Sequence, residues 1–449
     1  MYYNEGMKRK RLSTTHIILL SFLAAILIGS GLLALPIASA DGEAVPYIDA
    51  LFTATTSTCV TGLVTLPTVT TWSGFGQAVI LLLIQIGGLG VITVFAGIMV
   101  MLHRRMGLED RLLLQDAFNL NSLSGLIRFV KRVLAGTFAI EGVGALLCMP
   151  VFVPQFGLRG IWISVFHAVS AFCNAGIDIL AQDSLCQYAT HPLINGVTMA
   201  LIVLGGIGFI VWWDVLSVWR GKKRHLMLHS KIALVTTAVL ILGGAAAIFA
   251  FEYHNPQTIG NLGLWDKIQV SLFQSVTTRT AGFATIAQEN MTNGATLVSM
   301  ILMMIGGSPV GTAGGIKTVT VTVLLASALA TIHNRDEVAM FNRNIAKPAI
   351  RKALAVACMF IVIVLTATLL LAAASDRPLL DLAYETVSAT ATVGLSRNLT
   401  PFLNDFGKLI IIATMYLGRI GPISLAIAFR VRRANPDMIK NPTEEISIG

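Results

Sequence analysis

The sequence predicts an all-α polytopic membrane protein, built as four pseudo-repeated units that each hold a span, a short re-entrant helix and a second span. Three observations lead there. Hydrophobic residues fill 55% of the 449 positions and charged residues only 12%, about half the charged share of a soluble domain. Apolar segments long enough to cross a hydrocarbon core of ~30 Å recur along the chain. A similar tetrad ending in glycine recurs at nearly even spacing, which points to internal duplication. With a mean hydropathy of +0.76, too few charges remain to cover a water-facing surface. Soluble enzymes, long coiled coils, disordered scaffolds and collagen-like chains are therefore excluded together.

Eight full spans are expected near 16–37, 76–102, 130–153, 194–219, 230–252, 295–331, 352–374 and 407–429. Between the members of each pair lies a shorter stretch, at 46–58, 162–173, 265–278 and 380–391. About 12 residues at ~1.5 Å each give a helix of only ~18 Å, too short to cross. Such a helix goes halfway in and returns, which places non-helical backbone at membrane depth. That is tolerated only against protein or a wet cavity. The expected units are 1–110, 111–224, 225–340 and 341–449. The N-terminus imitates a signal peptide, with Lys8-Arg9-Lys10-Arg11 before an apolar stretch and Ala38-Ser39-Ala40 after it. The stretch from Ile17 to Ile37 is longer than an ordinary signal core, and it is read as a retained first span.

The formal charge of +9 comes from 32 Lys+Arg against 23 Asp+Glu. These basic residues cluster beside apolar runs, in the N-terminus and in 104–132, 220–231, 335–352 and 430–440. All five patches fall on one side if every unit is span, short helix, span, while Arg159, Lys267, Arg377 and Lys408 fall on the other. The positive-inside rule makes both termini cytoplasmic, in a multi-pass protein of the cell membrane. The partner implied by this charge is the lipid bilayer and not nucleic acid. Cys59, Cys148, Cys173, Cys186 and Cys358 show no CxxC or metal-ligand spacing.

The tetrads are Cys59-Val60-Thr61-Gly62, Cys173-Asn174-Ala175-Gly176, Arg279-Thr280-Ala281-Gly282 and Ala391-Thr392-Val393-Gly394. Phe52, Phe166 and Tyr384 each stand ten residues before the glycine; the third unit has Leu272 there, with Phe273 next to it. A short helix that ends and runs back extended presents consecutive carbonyls, and four such loops around an axis can replace the hydration shell of a monovalent cation. Glycine turns its backbone where a Cβ would be penalised. The partially negative helix C-termini also favour a cation. Close helix packing explains one small-residue loop, but not four at matched positions.

The segments Ser57–Leu63, Ser170–Gly176, Thr277–Phe283 and Ser388–Gly394 resemble the Trk/Ktr/HKT superfamily of potassium transporters over nearly the whole chain. Compact length and Gly306-Gly307-Ser308-Pro309 look most like the membrane subunits of its Ktr branch. The resemblance implies four M1–P–M2 units around one pore, taking up K⁺ with Na⁺ as an activator, and a homodimer with a pore in each protomer. It also implies a cytosolic nucleotide-binding RCK ring as regulatory partner, so that any nucleotide sits on the partner and this chain carries no covalent cofactor. K⁺ would be held by filter carbonyls of Cys59, Val60, Thr61, Gly62, Cys173, Asn174, Ala175, Gly176, Thr280, Ala281, Gly282, Thr392, Val393 and Gly394. The four filter glycines are all present.

The span at 295–331 is interrupted by Gly306-Gly307-Ser308-Pro309-Val310-Gly311-Thr312-Ala313-Gly314-Gly315-Ile316-Lys317-Thr318. Five glycines and a proline in ten residues disfavour helix at about 1 kcal/mol per Gly and about 3 for Pro. In mid-span this is a flexible obstruction, which the resemblance identifies as an intramembrane gating loop. Gly315-Ile316-Lys317-Thr318 is not a phosphate-binding loop, which needs glycine directly before the lysine; a simple kinked helix is the plainer alternative. Arg419 lies at membrane depth, where a guanidinium faces a cavity or a partner. It is expected to donate to loop carbonyls around 306–315 and to form a positive barrier. Glu141 and Asp214 are expected to be structural or interfacial groups. The alternatives are a secondary transporter with a midplane site and an intramembrane hydrolase using Ser308, for which His254 and His333 lie near span ends.

Overall fold

The computed structural model describes residues 14–102, 107, 112, 114, 115, 125–181, 183–335 and 337–421. The basic N-terminal patch, much of 104–124 and the tail from 422 onward lie outside the described residues. Helices follow one order four times. A long apolar helix comes first, at Thr14–Leu33, Leu126–Phe156, Leu228–Glu252 and Lys347–Ala374. A short helix follows, at Tyr47–Cys59, Arg159–Cys173, Leu264–Thr277 and Leu379–Ala391. Then the tetrad runs out of helix, and a second helix begins at Gly74, Pro192, Asn293 or Asp405.

The second helices start alike because a side chain caps each of them. Ser73, His191, Thr292 and Asn404 accept from the amides of Gly76, Ile194, Ala295 and Gly407. Each cap satisfies one orphan N–H of the first turn.

The expectation of eight full spans needs correction. Among the described residues four helices are long and apolar enough to cross a membrane, or six if two bent pairs count as one span each. The second helix of the first unit, Gly74–Leu89, turns through 94° into Val91–Met101, and Pro192–Gly206 turns through 98° into Phe209–Trp219. The pivots are Gly90, at φ 85° and ψ 131°, and Gly208, at φ 95° and ψ 134°. These angles are open only to a residue without Cβ. In the third unit the segment expected at 295–331 is two helices, Asn293–Met304 and Thr318–Ile332, separated by non-helical chain. The last expected span is described only to Gly421, as the helix Asp405–Ile420. The edge placed between units at 340 falls in a small hairpin that pairs Ala339–Met340 with Arg343–Asn344.

Apolar packing runs from unit to unit. One cluster joins the first and second units and takes in Phe273 and Phe283 of the third. Another joins the first to the fourth through Phe52, Leu63, Leu382 and Ile411. A third joins Met303 and Ile316 to Tyr384 and Val393. Large apolar side chains such as Leu27, Ile28, Leu365 and Leu369 face outward, as a lipid-facing surface requires.

Each seam between neighbouring units also carries a polar pin near the end where the short helices begin. The Trp162 indole donates to Gln77 at 3.0 Å between the first and second units. The Leu185 amide donates to Ala284 O at 2.9 Å between the second and third. Arg397 pairs with Asp381 at 2.7 Å and donates to Gln288 O, Glu289 O and Thr296 across the third seam. Arg397 lies on the same side as the four opposite-loop basic residues, and its pairing shows it is structural. Lys408 closes the fourth seam against Asp49 at 2.7 Å, with both side chains largely buried. Removing one member of a buried ion pair leaves an uncompensated charge and costs about 3 kcal/mol or more. Lys408→Met should therefore lower the melting temperature in detergent markedly, and adding Asp49→Leu should restore most of the loss. Unchanged melting of the single variant would show that this pair does not hold the seam.

Candidate functional site: a ring of four tetrads

The four tetrads share one backbone conformation. Val60, Asn174, Thr280 and Thr392 have φ of 55°, 59°, 69° and 52°, and Gly62, Gly176, Gly282 and Gly394 have φ of 98°, 63°, 85° and 93°. The intervening Thr61, Ala175, Ala281 and Val393 are not in the left-handed region. In an extended strand successive side chains and carbonyls alternate in direction. Alternating the hand of the backbone cancels that, so successive carbonyls can point the same way.

The tetrads close on one another in order. A Cβ built on Gly62 would meet the Ala175 carbonyl oxygen at 2.5 Å, and one on Gly176 the Ala281 carbonyl oxygen at 2.6 Å. One on Gly282 would collide with Val393 O, and one on Gly394 with Thr61 O, which returns to the first unit. Unit one touches two, two touches three, three touches four and four touches one. No side chain larger than hydrogen fits at any of the four positions.

The amides of the tetrads turn back onto their short helices. Thr61 N donates to Thr56 O, Ala175 N to Ser170 O, and Val393 N to Ser388 O, each at 2.8 Å, while Ala281 N donates to Thr277 O at 2.9 Å. Side-chain hydroxyls complete the brace. Gly62 N donates to Thr56 Oγ1 at 2.9 Å and Gly394 N to Ser388 Oγ at 3.0 Å. Ser170 Oγ donates to Ile177 O at 2.5 Å and Thr277 Oγ1 to Phe283 O at 2.6 Å. These four hydroxyls were not among the sequence candidates, although each stands five or six residues before its glycine. The third unit is one residue tighter, which explains why Phe273 joins Phe52, Phe166 and Tyr384 as a fully buried ring behind the tetrads.

Cys59 and Cys173 are buried where the short helices end. Arg279 takes the equivalent place in the third unit. The residue is 7% exposed, and its guanidinium donates from Nη2 to Gly306 O at 3.1 Å. The sequence reading did not single it out.

The interrupted segment packs against the side of the ring where the tetrads begin. Its two ends are zipped together, with Gly306 N donating to Ile316 O and Ile316 N to Met304 O, each at 3.0 Å. Between them, Ser308 N donates to Gly206 O, Thr312 N to Gly205 O, and Phe209 N to Val310 O, at 2.8, 3.1 and 2.8 Å. Pro309 and Gly311 pack beside Gly208, Ala313 and Gly314 are buried, and Gly315 makes the return turn at φ 63°. Gly314 N donates to the Thr280 hydroxyl at 3.1 Å. Gly307 lies under Gly206 O, and Lys317 donates from Nζ to Ala313 O at 2.6 Å. The segment is a compact loop, and a kinked helix is ruled out. Ser308 is fully buried and pairs with the Thr318 hydroxyl at 2.9 Å, which leaves no activated, accessible nucleophile for a hydrolase.

Arg419 joins the loop to the far side. Nη1 donates to Thr312 O at 2.7 Å, and Nη2 donates to Gly87 O at 2.6 Å. Gly87-Gly88-Leu89-Gly90, Gly205-Gly206-Ile207-Gly208 and Gly418-Arg419-Ile420-Gly421 form a second repeat that the sequence reading missed. Its signal is Gly-x-x-Gly at the end of the second helix in the first, second and fourth units. A Cβ on Gly87, Gly205 or Gly418 would strike the carbonyl of Thr58, Phe172 or Thr390, each just before or at the end of a short helix. Arg419 thus occupies the place that Gly88 and Gly206 hold in the first two units. Glu141 is buried and accepts from Gln85 at 3.4 Å and from the Cys173 thiol at 3.8 Å, while Asp214 accepts from Lys223 and the Met227 amide. Both are structural groups.

Residues 7–440 match the family described as TrkH, cation transport protein. The chain is 39% identical over 447 residues to potassium/sodium uptake protein NtpJ of Enterococcus hirae, covering 98% of each chain. It is also 39% identical over 447 residues to Ktr system potassium uptake protein B of Bacillus subtilis, covering 99% of each. Identity to Ktr system potassium uptake protein B of Vibrio alginolyticus is 36% over 450 residues, covering all of this chain and 98% of that one. The fold is similar to the crystal structure of the potassium transporter TrkH from Vibrio parahaemolyticus, with a TM-score of 0.74 at 16% identity over 95% of this chain and 87% of that one. A multi-pass membrane protein and not an enzyme, the chain belongs to the TrkH family of cation transport proteins.

Proposed function

We propose that this chain takes potassium ions into the cell across the cytoplasmic membrane, through a gated pore enclosed by four M1–P–M2 units. The observation that carries the reading is the closed ring in which each glycine abuts the next unit's carbonyl. Carbonyls freed from their own amides, at the partially negative ends of four short helices, suit a dehydrated monovalent cation. The relatives named as potassium or potassium/sodium uptake proteins support K⁺ as the ion. Loop 306–315, backed by Arg419, is the gate, and the guanidinium adds a positive barrier to ions leaving the ring. Na⁺ acts as activator. Two copies assemble as a homodimer, and a nucleotide-binding RCK ring docks on the basic face that includes 220–231 and 335–352, with both termini on that cytoplasmic side.

Uptake of ⁸⁶Rb⁺ into proteoliposomes tests the reading. Gly62→Asp should reduce uptake to background, because a side chain at that position enters the ring; retained K⁺-selective uptake would sink the pore and favour a carrier. Deleting 309–314 should raise uptake several-fold without a regulatory partner, and unchanged uptake would remove the gate. Asp178 follows the second ring glycine by two residues. Its Oδ1 accepts from the Leu180 amide at 3.3 Å. Asp178→Asn removes that carboxyl from beside the ring and should slow uptake; unchanged uptake would show that its charge does not serve the ring.

A further inference from the structure

We propose that the Tyr384 hydroxyl, with the Gln274–Gln288 amide pair it joins, is a positioning brace behind the ring. It fixes the third and fourth tetrads at the separation K⁺ requires and so sets the preference for K⁺ over Na⁺. The proposal deepens the pore reading above and rests on it. Of the four buried rings behind the tetrads, Phe52, Phe166 and Phe273 carry no polar atom, and Tyr384 differs from them by one hydroxyl. That hydroxyl crosses the seam between the fourth and third units and donates to Gln288 Oε1 at 3.0 Å.

Gln288 follows the third ring glycine by six residues, and Gln274 stands on the third short helix next to Phe273. Both glutamines are buried. Their amides pair reciprocally, with Gln274 Nε2 donating to Gln288 Oε1 at 2.7 Å and Gln288 Nε2 donating to Gln274 Oε1 at 3.2 Å. Gln288 Nε2 also donates to Ile286 O at 2.8 Å. With the Tyr384 hydroxyl, both N–H groups and both oxygen lone pairs of the Gln288 amide are engaged. Its main-chain carbonyl accepts from Arg397 Nη1 at 2.9 Å, so the fourth unit holds Gln288 by side chain and backbone together.

The fourth unit is itself fastened. Glu385, next to Tyr384, accepts from Ser396 Oγ at 2.7 Å and from Thr400 Oγ1. The short helix and the chain returning from Gly394 therefore move together. Tyr384 packs in one apolar cluster with Val393, the residue whose carbonyl abuts Gly282. The Tyr384–Gln288 bond is thus a joint between two stiff bodies, behind a contact of the ring. The first two units lack such a joint. Where the others hold Gln274 and Glu385, they hold Thr53 and His167. Thr53 Oγ1 finds no partner among the described residues, and His167 pairs with Thr198 of its own unit at 2.8 Å.

A ring of carbonyls favours K⁺ when it does not close in around a smaller ion. Closing in requires the fourth tetrad to shift against the third. That shift stretches the Tyr384–Gln288 bond and leaves a buried amide oxygen with one partner fewer, which is costly. Tyr384→Phe removes the resistance at this seam alone. The glycines, the carbonyls and the aromatic packing stay in place, because phenylalanine already fills the same site in the other three units.

The test is ⁸⁶Rb⁺ uptake in proteoliposomes with K⁺ and Na⁺ as competitors, reading the ratio of their inhibition constants beside the melting temperature of each variant. Tyr384→Phe should retain uptake and lower the K⁺-over-Na⁺ ratio about threefold, within the net worth of one hydrogen bond. Gln288→Met, which also breaks the amide pair, should lower it about tenfold. Adding Tyr384→Phe to Gln288→Met should change the ratio no further, because the hydroxyl has already lost its acceptor. A role in stability alone would lower the melting temperature and leave the ratio where it was. A parent-like ratio in Tyr384→Phe therefore overturns the brace and leaves the pore standing, as does full additivity of the two substitutions. If Gln288→Met does not yield monodisperse protein, the ratio in Tyr384→Phe decides by itself. Absence of K⁺-selective uptake in the parent overturns the pore reading itself.

Discussion

The close approach of four backbone segments is the constraint on which the rest of this structure depends. At each of Gly62, Gly176, Gly282 and Gly394 the missing Cβ leaves room for the carbonyl of the neighbouring unit. Carbonyls packed this way repel one another, and among the described residues no donor reaches Thr61 O, Ala175 O, Ala281 O or Val393 O. Their arrangement persists because the amides are spoken for elsewhere, on Thr56, Ser170, Thr277 and Ser388. Without those bonds, the loops would relax toward ordinary turns in which amide and carbonyl satisfy each other.

A ring of that kind needs rigid walls, and these come from two sources. Buried aromatic side chains, Phe52, Phe166, Phe273 and Tyr384, stand behind the tetrads and resist compression, since cores pack at crystal-like density. Polar pins such as Lys408–Asp49 and the Arg397 cluster hold the seams in register at the end where the short helices begin. The direction of a pin matters here as much as its strength, because an ion pair inside apolar surroundings is weak evidence for stability but strongly resists being broken.

The loop and the ring form one hydrogen-bonded body. Arg419 replaces a small residue of the Gly-x-x-Gly pivot, and its long side chain reaches both Thr312 O and Gly87 O. A cation at membrane depth is sustained by such carbonyl partners. Arg279 does the same at the loop's first hinge, through Gly306 O. Two guanidiniums, the buried one of Arg279 and the half-buried one of Arg419, thus hold the loop by its backbone, while the Thr312 hydroxyl bonds to Phe172 O.

Much of this was legible in the residues. The four long first helices, the short helices, four glycine-ended tetrads and the interrupted segment all follow from local hydrophobic length, repetition and the conformational cost of glycine and proline, which act over a few neighbouring residues. The hydroxyls of Thr56, Ser170, Thr277 and Ser388 and the Gly-x-x-Gly pivots repeat as plainly, yet serine, threonine and glycine are common in any membrane chain, and their spacing has meaning only once a carbonyl lies against them. The right-angle bends at Gly90 and Gly208 were invisible because apolar content continues unbroken through them. What the sequence by itself determined is where the long apolar helices and the short helices lie along the chain. Only tertiary structure decided that unit one meets two, two meets three, three meets four and four meets one, and that Arg279 and Arg419 turn to the loop. Those outcomes depend on contacts between residues up to hundreds of positions apart, such as Arg419 with Gly87, which no local pattern encodes.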